Sequence, residues 1–281
     1  MSCLNGKVAV ITGGGTGIGL GIASDFLKGG AKLVIAGRRL EKLQEAAETL
    51  SKKSAEENDK KTTDKAEIEC VQCDVRDQDS CKALIEAALQ RFGRVDVLVN
   101  NAGIEGSFLE VEHASEKEWD DIFDTNVRSN FYLSKAVIPH FRKRFEESEE
   151  ADEWEKPLHT GSIIVVASIA GKIGQARIAN YVASNFARIG FAKSLALELA
   201  PIRVTVNALC PGVVWTPMWA RMVSRVEGPE DETAKFTEKV NALIPMQRPQ
   251  TEEDMGRLAT FMATQPNLTA QEMYVDGGYV H

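Results

Sequence analysis

Short apolar runs alternate with amphipathic stretches almost from the first residue. Segments 7–11, 32–36, 69–73, 95–99, 162–167, 203–208 and 272–275 read as strands. Segments 20–27, 40–50, 80–92 and 181–199 read as helices between them. The strands are near-continuously apolar rather than alternating, which is the pattern of strands covered on both faces. Right-handed crossovers then predict a doubly wound α/β sandwich of three layers with a mainly parallel, seven-stranded sheet. Two segments break the rhythm. Residues 51–65 are nearly all Lys, Glu, Asp, Ser and Thr, and 146–160 are strongly acidic around Trp154 and Pro157. Both read as solvent-facing helix extensions or surface insertions, with a partner surface at Trp154 as the less favoured reading. No internal repeat or linker divides the chain, so 1–281 is expected to form one domain.

Composition narrows the function classes. With 281 residues, 43% of them hydrophobic, the chain can bury one sizeable core. A net charge of -8 argues against nucleic acid as a partner. The opening residues lack the basic-then-apolar order of a signal peptide, and no apolar run reaches membrane-spanning length. Five cysteines without a disulfide framework fit a reducing, cytoplasmic setting. Cys70 and Cys73 form a C-x-x-C inside a strand, where a structural role outweighs metal or redox chemistry. The four histidines share no spacing that converges on a metal, so none is expected. Ser168 lacks the glycine pattern of a nucleophile elbow, which disfavours a hydrolase.

The candidate chemistry begins at the first strand. Thr12 is followed by Gly13, Gly14, Gly15, Thr16, Gly17, Ile18 and Gly19, which open the first helix. Glycines there allow a tight turn and close approach of a ligand, and the helix start offers free N–H groups to a diphosphate. The second strand ends in Gly37-Arg38-Arg39 with no carboxylate. A carboxylate would bind the adenosine ribose hydroxyls. An arginine fork instead suits a 2'-phosphate, so NADP(H) is favoured and NAD(H) remains possible. Asp74 and Val75 end the third strand, placed to meet adenine.

These residues, with those that follow, resemble the classical short-chain dehydrogenase/reductase family over almost the whole chain. The carriers of the resemblance are 12–19, Asn100-Asn101-Ala102-Gly103, Asn126, Ser168 with Tyr181 thirteen residues on, Pro211-Gly212 with Thr216, and Asp276-Gly277-Gly278. The resemblance implies a Rossmann-like NAD(P)-binding domain that interconverts a carbonyl and a secondary alcohol by hydride transfer. It implies that Tyr181 is the proton donor or acceptor, that Ser168 hydrogen-bonds the same substrate oxygen, and that Asn126 holds a relay water. Asn101, Ala102 and Gly103 would border the cofactor. Pro211 and Gly212 would close over nicotinamide, Val214 would contact its carboxamide, and Thr216 the phosphates. It also implies a homotetramer or homodimer, using the helix that bears Phe186, Ile189 and Phe191.

One position departs from the family. Four residues after the tyrosine, where the family keeps a lysine, stands Asn185. It lies on the tyrosine's helix face and can reach a ribose hydroxyl, but brings no charge. A nearby cation lowers a tyrosine pKa of about 10 by roughly 1–3 units. Its loss is expected to impair oxidation most, because reduction needs only a neutral donor. Arg188 is the nearest replacement cation, though that part of the helix is expected to turn away from the ribose. A non-catalytic NADP(H)-binding protein is the alternative reading. The substrate pocket is expected around 169–171, Gln175 and a lid within 213–240 that carries Trp215, Met218, Trp219 and Met222, with Arg177 and Arg221 as nearby cations. That mix suits a small ketone, diketone or polyol/keto-sugar.

Overall fold

A computed structural model describes residues 3–57, 66–149, 157–224 and 232–280. Among these, seven strands form one sheet: β1 (Val8–Thr12), β2 (Lys32–Gly37), β3 (Ile68–Gln72), β4 (Val97–Asn100), β5 (Gly161–Val166), β6 (Val204–Pro211) and β7 (Glu272–Val275). Their order is β3-β2-β1-β4-β5-β6-β7, and every pairing is parallel. The expected doubly wound sheet is present.

Side-chain alternation along each strand builds two cores. Val10, Val34, Leu98, Ile163 and Val206 face α3 (Gln78–Phe92), α5 (Ser129–Glu149) and α6 (Ala179–Leu199). Ala9, Ile11, Leu33, Ile35, Val97, Val99 and Ile164 face α1 (Gly17–Lys28), α2 (Leu40–Glu57) and α9 (Glu252–Thr264). Both strand faces are dry, which is why the strands read as unbroken apolar runs. The same alternation separates the C-x-x-C pair: Cys70 packs on the α1 side and Cys73 on the α3 side, and all five cysteines are free.

Local signals fix the helix ends. Asp77 caps α3, accepting from the Ser80 N–H at 2.6 Å, and Gly93 ends it in the left-handed region at φ 74°. Thr251 and Asp254 form a capping box on α9. α1 and α9 touch backbone to backbone: a Cβ on Gly256 would lie 2.7 Å from the Gly21 carbonyl oxygen. The chain between β4 and β5 holds α4 (Glu116–Phe123) and α5, joined by a wide π-type turn at Asp124–Arg128. α2 and α5 run into the first part of the two charged segments. Trp154 and residues 58–65 lie outside the described residues. On α6, Ile189 belongs to the core whereas Phe186 is about half exposed.

At the amino-terminal edge of the sheet, Asp96 is buried among Lys7, Arg94 and Arg144 and accepts the Val8 N–H at 2.9 Å. Burial pushes its carboxyl up, but the Arg94 hydrogen bonds, the Val8 N–H and the other two cations outweigh this and hold it below the usual carboxylate range.

Candidate active site

β1 and β4 are neighbours, yet the chain leaves β1 toward β2 and returns through β4. This is the point where a doubly wound sheet opens a crevice at the carboxyl ends of its strands. A cavity of about 850 Å³ lies there.

Its floor is the glycine turn. Gly13 and Gly17 have φ of 66° and 58°, conformations that favour glycine. A Cβ on Gly13 would stand 2.8 Å from the Asn101 Nδ2. Thr12 clasps the two loops: its Oγ1 donates to the Val99 carbonyl at 3.2 Å and accepts from the Asn101 and Ala102 N–H groups at 3.0 and 3.1 Å. Asn101 returns the tie, donating from Nδ2 to the Thr12 carbonyl at 2.8 Å. Gly13, Gly15, Thr16, Gly17 and Ile18 line the cavity, as do Asn101, Ala102 and Gly103. Gly19 is a packing position instead, since its Cβ would stand 2.6 Å from Asn101 Nδ2.

One end of the cavity is basic. Arg38, Arg39, Lys42 and Arg76 line it with Asp74 and Val75. Arg38 and Arg39 are exposed. Asp74 is gripped by the Arg76 guanidinium at 2.7 to 3.2 Å, and that hydrogen bond holds its carboxyl below the usual range. The carboxylate expected to meet adenine is therefore already engaged. Arg76 was not read from the sequence, although its place two residues past the strand-end acid was a local signal.

At the other end stand Tyr181 and Arg188, both in the cavity wall. Ser168 sits at the carboxyl end of β5, its Oγ accepting from the Ala170 N–H at 3.2 Å, with its own proton available to another acceptor. Asn185 is fully buried. It donates from Nδ2 to the Tyr181 carbonyl at 2.9 Å on its own helix, and its Oδ1 has no partner among the described residues. It is not among the residues lining the cavity, because a side chain this short folds back onto the preceding turn.

Arg188 takes the space instead. Its Nε donates to the Asn126 carbonyl at 2.6 Å, Nη1 to the Val166 carbonyl at 2.9 Å, and Nη2 to the Ala102 carbonyl. Tyr181 and Arg188 lie seven residues apart, close to two full helical turns, and so share a face and line one cavity. Asn126 is tied into the same region. Its side chain bonds Ile104 N–H and C=O at 2.8 and 2.9 Å and Ser184 Oγ at 3.0 Å, and the π-type turn presents its carbonyl to Arg188.

α7 (Pro217–Ser224) closes the cavity. Thr216, Pro217, Met218 and Arg221 face it, and a Cβ on Gly17 would touch Thr216 Cγ2 at 3.4 Å. Arg221 reaches across to Glu105 at 2.9 Å, a latch between α7 and the loop after β4 that has no local signal in the sequence. Trp215 and Trp219 pack away from the cavity against Phe236 of α8 (Glu232–Leu243), at ring distances of 4.4 and 6.1 Å. The side chain of Met222 lies outside the description. Gln175 donates to the Tyr279 hydroxyl at 3.4 Å, and Arg177 stacks on Phe108 and bonds its carbonyl. Pro211, Gly212 and Val214 lie behind the wall. Gly212 donates to the Val275 carbonyl, and Val214 bridges to Gln250. Asp276 accepts the Gly278 and Val280 N–H groups, closing the turn beside Gly212.

The geometry has counterparts among known proteins. The short chain dehydrogenase family profile matches residues 7–227. The 3-oxoacyl-(acyl-carrier-protein) reductase FabG of Chlamydia pneumoniae is 34% identical over 280 residues, covering 99% of this chain and 98% of that protein. Levodione reductase superposes with a TM-score of 0.85 at 26% identity, with 98% of each chain covered. An actinorhodin polyketide ketoreductase variant with NADPH gives 0.82 at 31% identity, with 97% of each chain covered. Fold, cradle and sequence agree, and the chain is an NAD(P)-dependent oxidoreductase that belongs to the short chain dehydrogenase family.

Proposed function

We propose that this protein is an NADP(H)-dependent carbonyl reductase acting on a small ketone, diketone or keto-sugar. One observation carries the reading: a single cavity runs from the basic cluster Arg38, Arg39, Lys42 and Arg76, over the glycine floor, to Tyr181. The basic end fits a 2'-phosphate, and no carboxylate stands at the end of β2 to favour an unphosphorylated ribose. The glycine floor would take a diphosphate, since Gly13, Gly15 and Gly17 line the cavity without side chains at the start of α1. Bound there, the reduced nicotinamide would supply a hydride to the carbonyl carbon. Tyr181 would give its phenolic proton to the carbonyl oxygen, and Ser168 would hold that oxygen with its hydroxyl. Asn185 itself adds no charge, and the neutral phenol that reduction needs does not depend on one. Met218 and the Glu105–Arg221 latch would screen the reacting centre from water. Support for the substrate class comes from the levodione and ketoacyl reductases it resembles. Among the described residues no helix is long and apolar enough to cross a membrane. A homodimer or homotetramer would use the α6 face that exposes Phe186 and Leu197.

The test pairs NADPH binding, followed by fluorescence, with NADPH consumption in the presence of a diketone, a keto-sugar and a simple ketone. Tight NADPH binding with turnover of at least one substrate supports the reading. Binding without turnover of any carbonyl would overturn it in favour of a non-catalytic NADP(H)-binding protein.

A further inference from the structure

Building on the reductase reading, we infer that Arg188 takes over the electrostatic task that Asn185 leaves undone, acting as a positioning residue that holds positive charge beside Tyr181. Four observations converge on it. Arg188 and Tyr181 line the same end of one cavity, while Asn185 has turned back onto its own helix. The guanidinium is buried, 3% exposed, with only backbone carbonyls as hydrogen-bond partners and no carboxylate paired to it among the described residues. Buried arginines normally sit against an acid, and carbonyl dipoles leave the unit charge in place. Burial pushes its pKa down to about 10, opposed by the Tyr181 phenolate when that forms, so Arg188 stays a cation at neutral pH.

The seat is purpose-shaped from several elements. The π-type turn turns out the Asn126 carbonyl, β5 offers Val166 and the loop after β4 offers Ala102. Gly103 leaves room for the guanidinium: a Cβ there would stand 3.1 and 3.2 Å from the two terminal nitrogens of Arg188, which would have to give by a few tenths of an ångström. The other charged groups around Tyr181 are engaged elsewhere. Glu105 pairs with Arg221, Glu118 accepts the Ser107 N–H, Arg177 holds the Phe108 carbonyl, and Lys117 pairs with Asp121. A purely structural staple would need donors at these carbonyls but would be indifferent to charge.

The decisive readout does not depend on turnover. The ultraviolet absorbance of tyrosinate is titrated in the cofactor-free protein, with Tyr181→Phe subtracted to isolate Tyr181. Arg188→Met is compared with wild type, with Arg188→Gln as a neutral replacement that keeps an amide donor where Met is not tolerated. The neutral variant is expected to move the Tyr181 transition upward, because it removes a cation from the surroundings of the phenolate. It should also lower the efficiency of alcohol oxidation and of carbonyl reduction together at a given pH, on the order of tenfold, because both directions cross one transition state. Placing the charge back one turn earlier, as Asn185→Lys with Arg188→Met, should return the transition toward wild type. A folded neutral variant with the wild-type transition would overturn the inference. Absence of carbonyl turnover in every protein, with the transition still moved, would instead overturn the reductase reading and leave the electrostatic role standing.

Discussion

Asp96 and Arg188 are both buried charges, at opposite edges of the same sheet, and they are treated in opposite ways. Asp96 is surrounded by Lys7, Arg94 and Arg144, so its charge is cancelled on the spot. Arg188 meets only dipoles, and its charge projects into the cavity. A cancelled charge ties elements together, here β1, β4 and α5. An uncancelled one is costly to fold around and is of use only where an opposite charge appears during the work of the protein.

The largest break in this comparison is Tyr181→Phe. It removes the group whose negative charge Arg188 would meet, and kcat for carbonyl reduction should fall about 10²- to 10⁴-fold. Stability should change by no more than about 1 kcal/mol, read from a urea midpoint. Asp96→Asn should do the reverse, leaving kcat near wild type and costing about 3 kcal/mol by the same measurement. Its pH signature follows from the sign of the shift. The folded pKa lies below the unfolded value of about 3.9, so the stabilisation is full above the unfolded value and is lost as pH falls through the folded one. Urea midpoints taken from pH 6 downward should show an acid-side decline in wild type that the Asn variant has lost. Next in size is Arg38→Ala, expected to weaken NADPH binding about 10- to 100-fold while leaving NADH within about threefold, by fluorescence titration. The smallest effect is expected from Arg221→Ala, which frees the latch on Glu105 and should raise KM a few-fold, about 0.5–1 kcal/mol.

The sheet was legible because strands buried on both faces are written mostly with apolar residues, and segment 32–36 falls within one residue of the observed bounds. The glycine floor was legible because a turn at positive φ leaves little other choice. α5 went unread. Pro139 lies inside it and its apolar positions form no strong stripe, so its stability comes from packing against α3 and β4 rather than from its own pattern. At the site, Tyr181 and Ser168 were singled out by the family resemblance, and Tyr181 lines the cavity. Arg188 was weighed against Asn185 when the relevant distance was from Tyr181, where seven residues restore the same helix face. The outward packing of Trp215 and Trp219 depends on Phe236, which no local pattern links to them.

The backbone contact between α1 and α9 carries a consequence for how the chain can be cut. The family match ends at residue 227, but α9 and β7 lie beyond it. Met255, Ala259 and Met262 cover the same core as Ile22 and Phe26, on the helix whose start forms the glycine floor. A fragment stopping at 227 would bare that core and turn β6, buried along its whole length, into an unprotected border strand. Such a fragment should stick to its own copies through β6 rather than hold a dinucleotide. The smallest piece worth expressing therefore extends through the last strand.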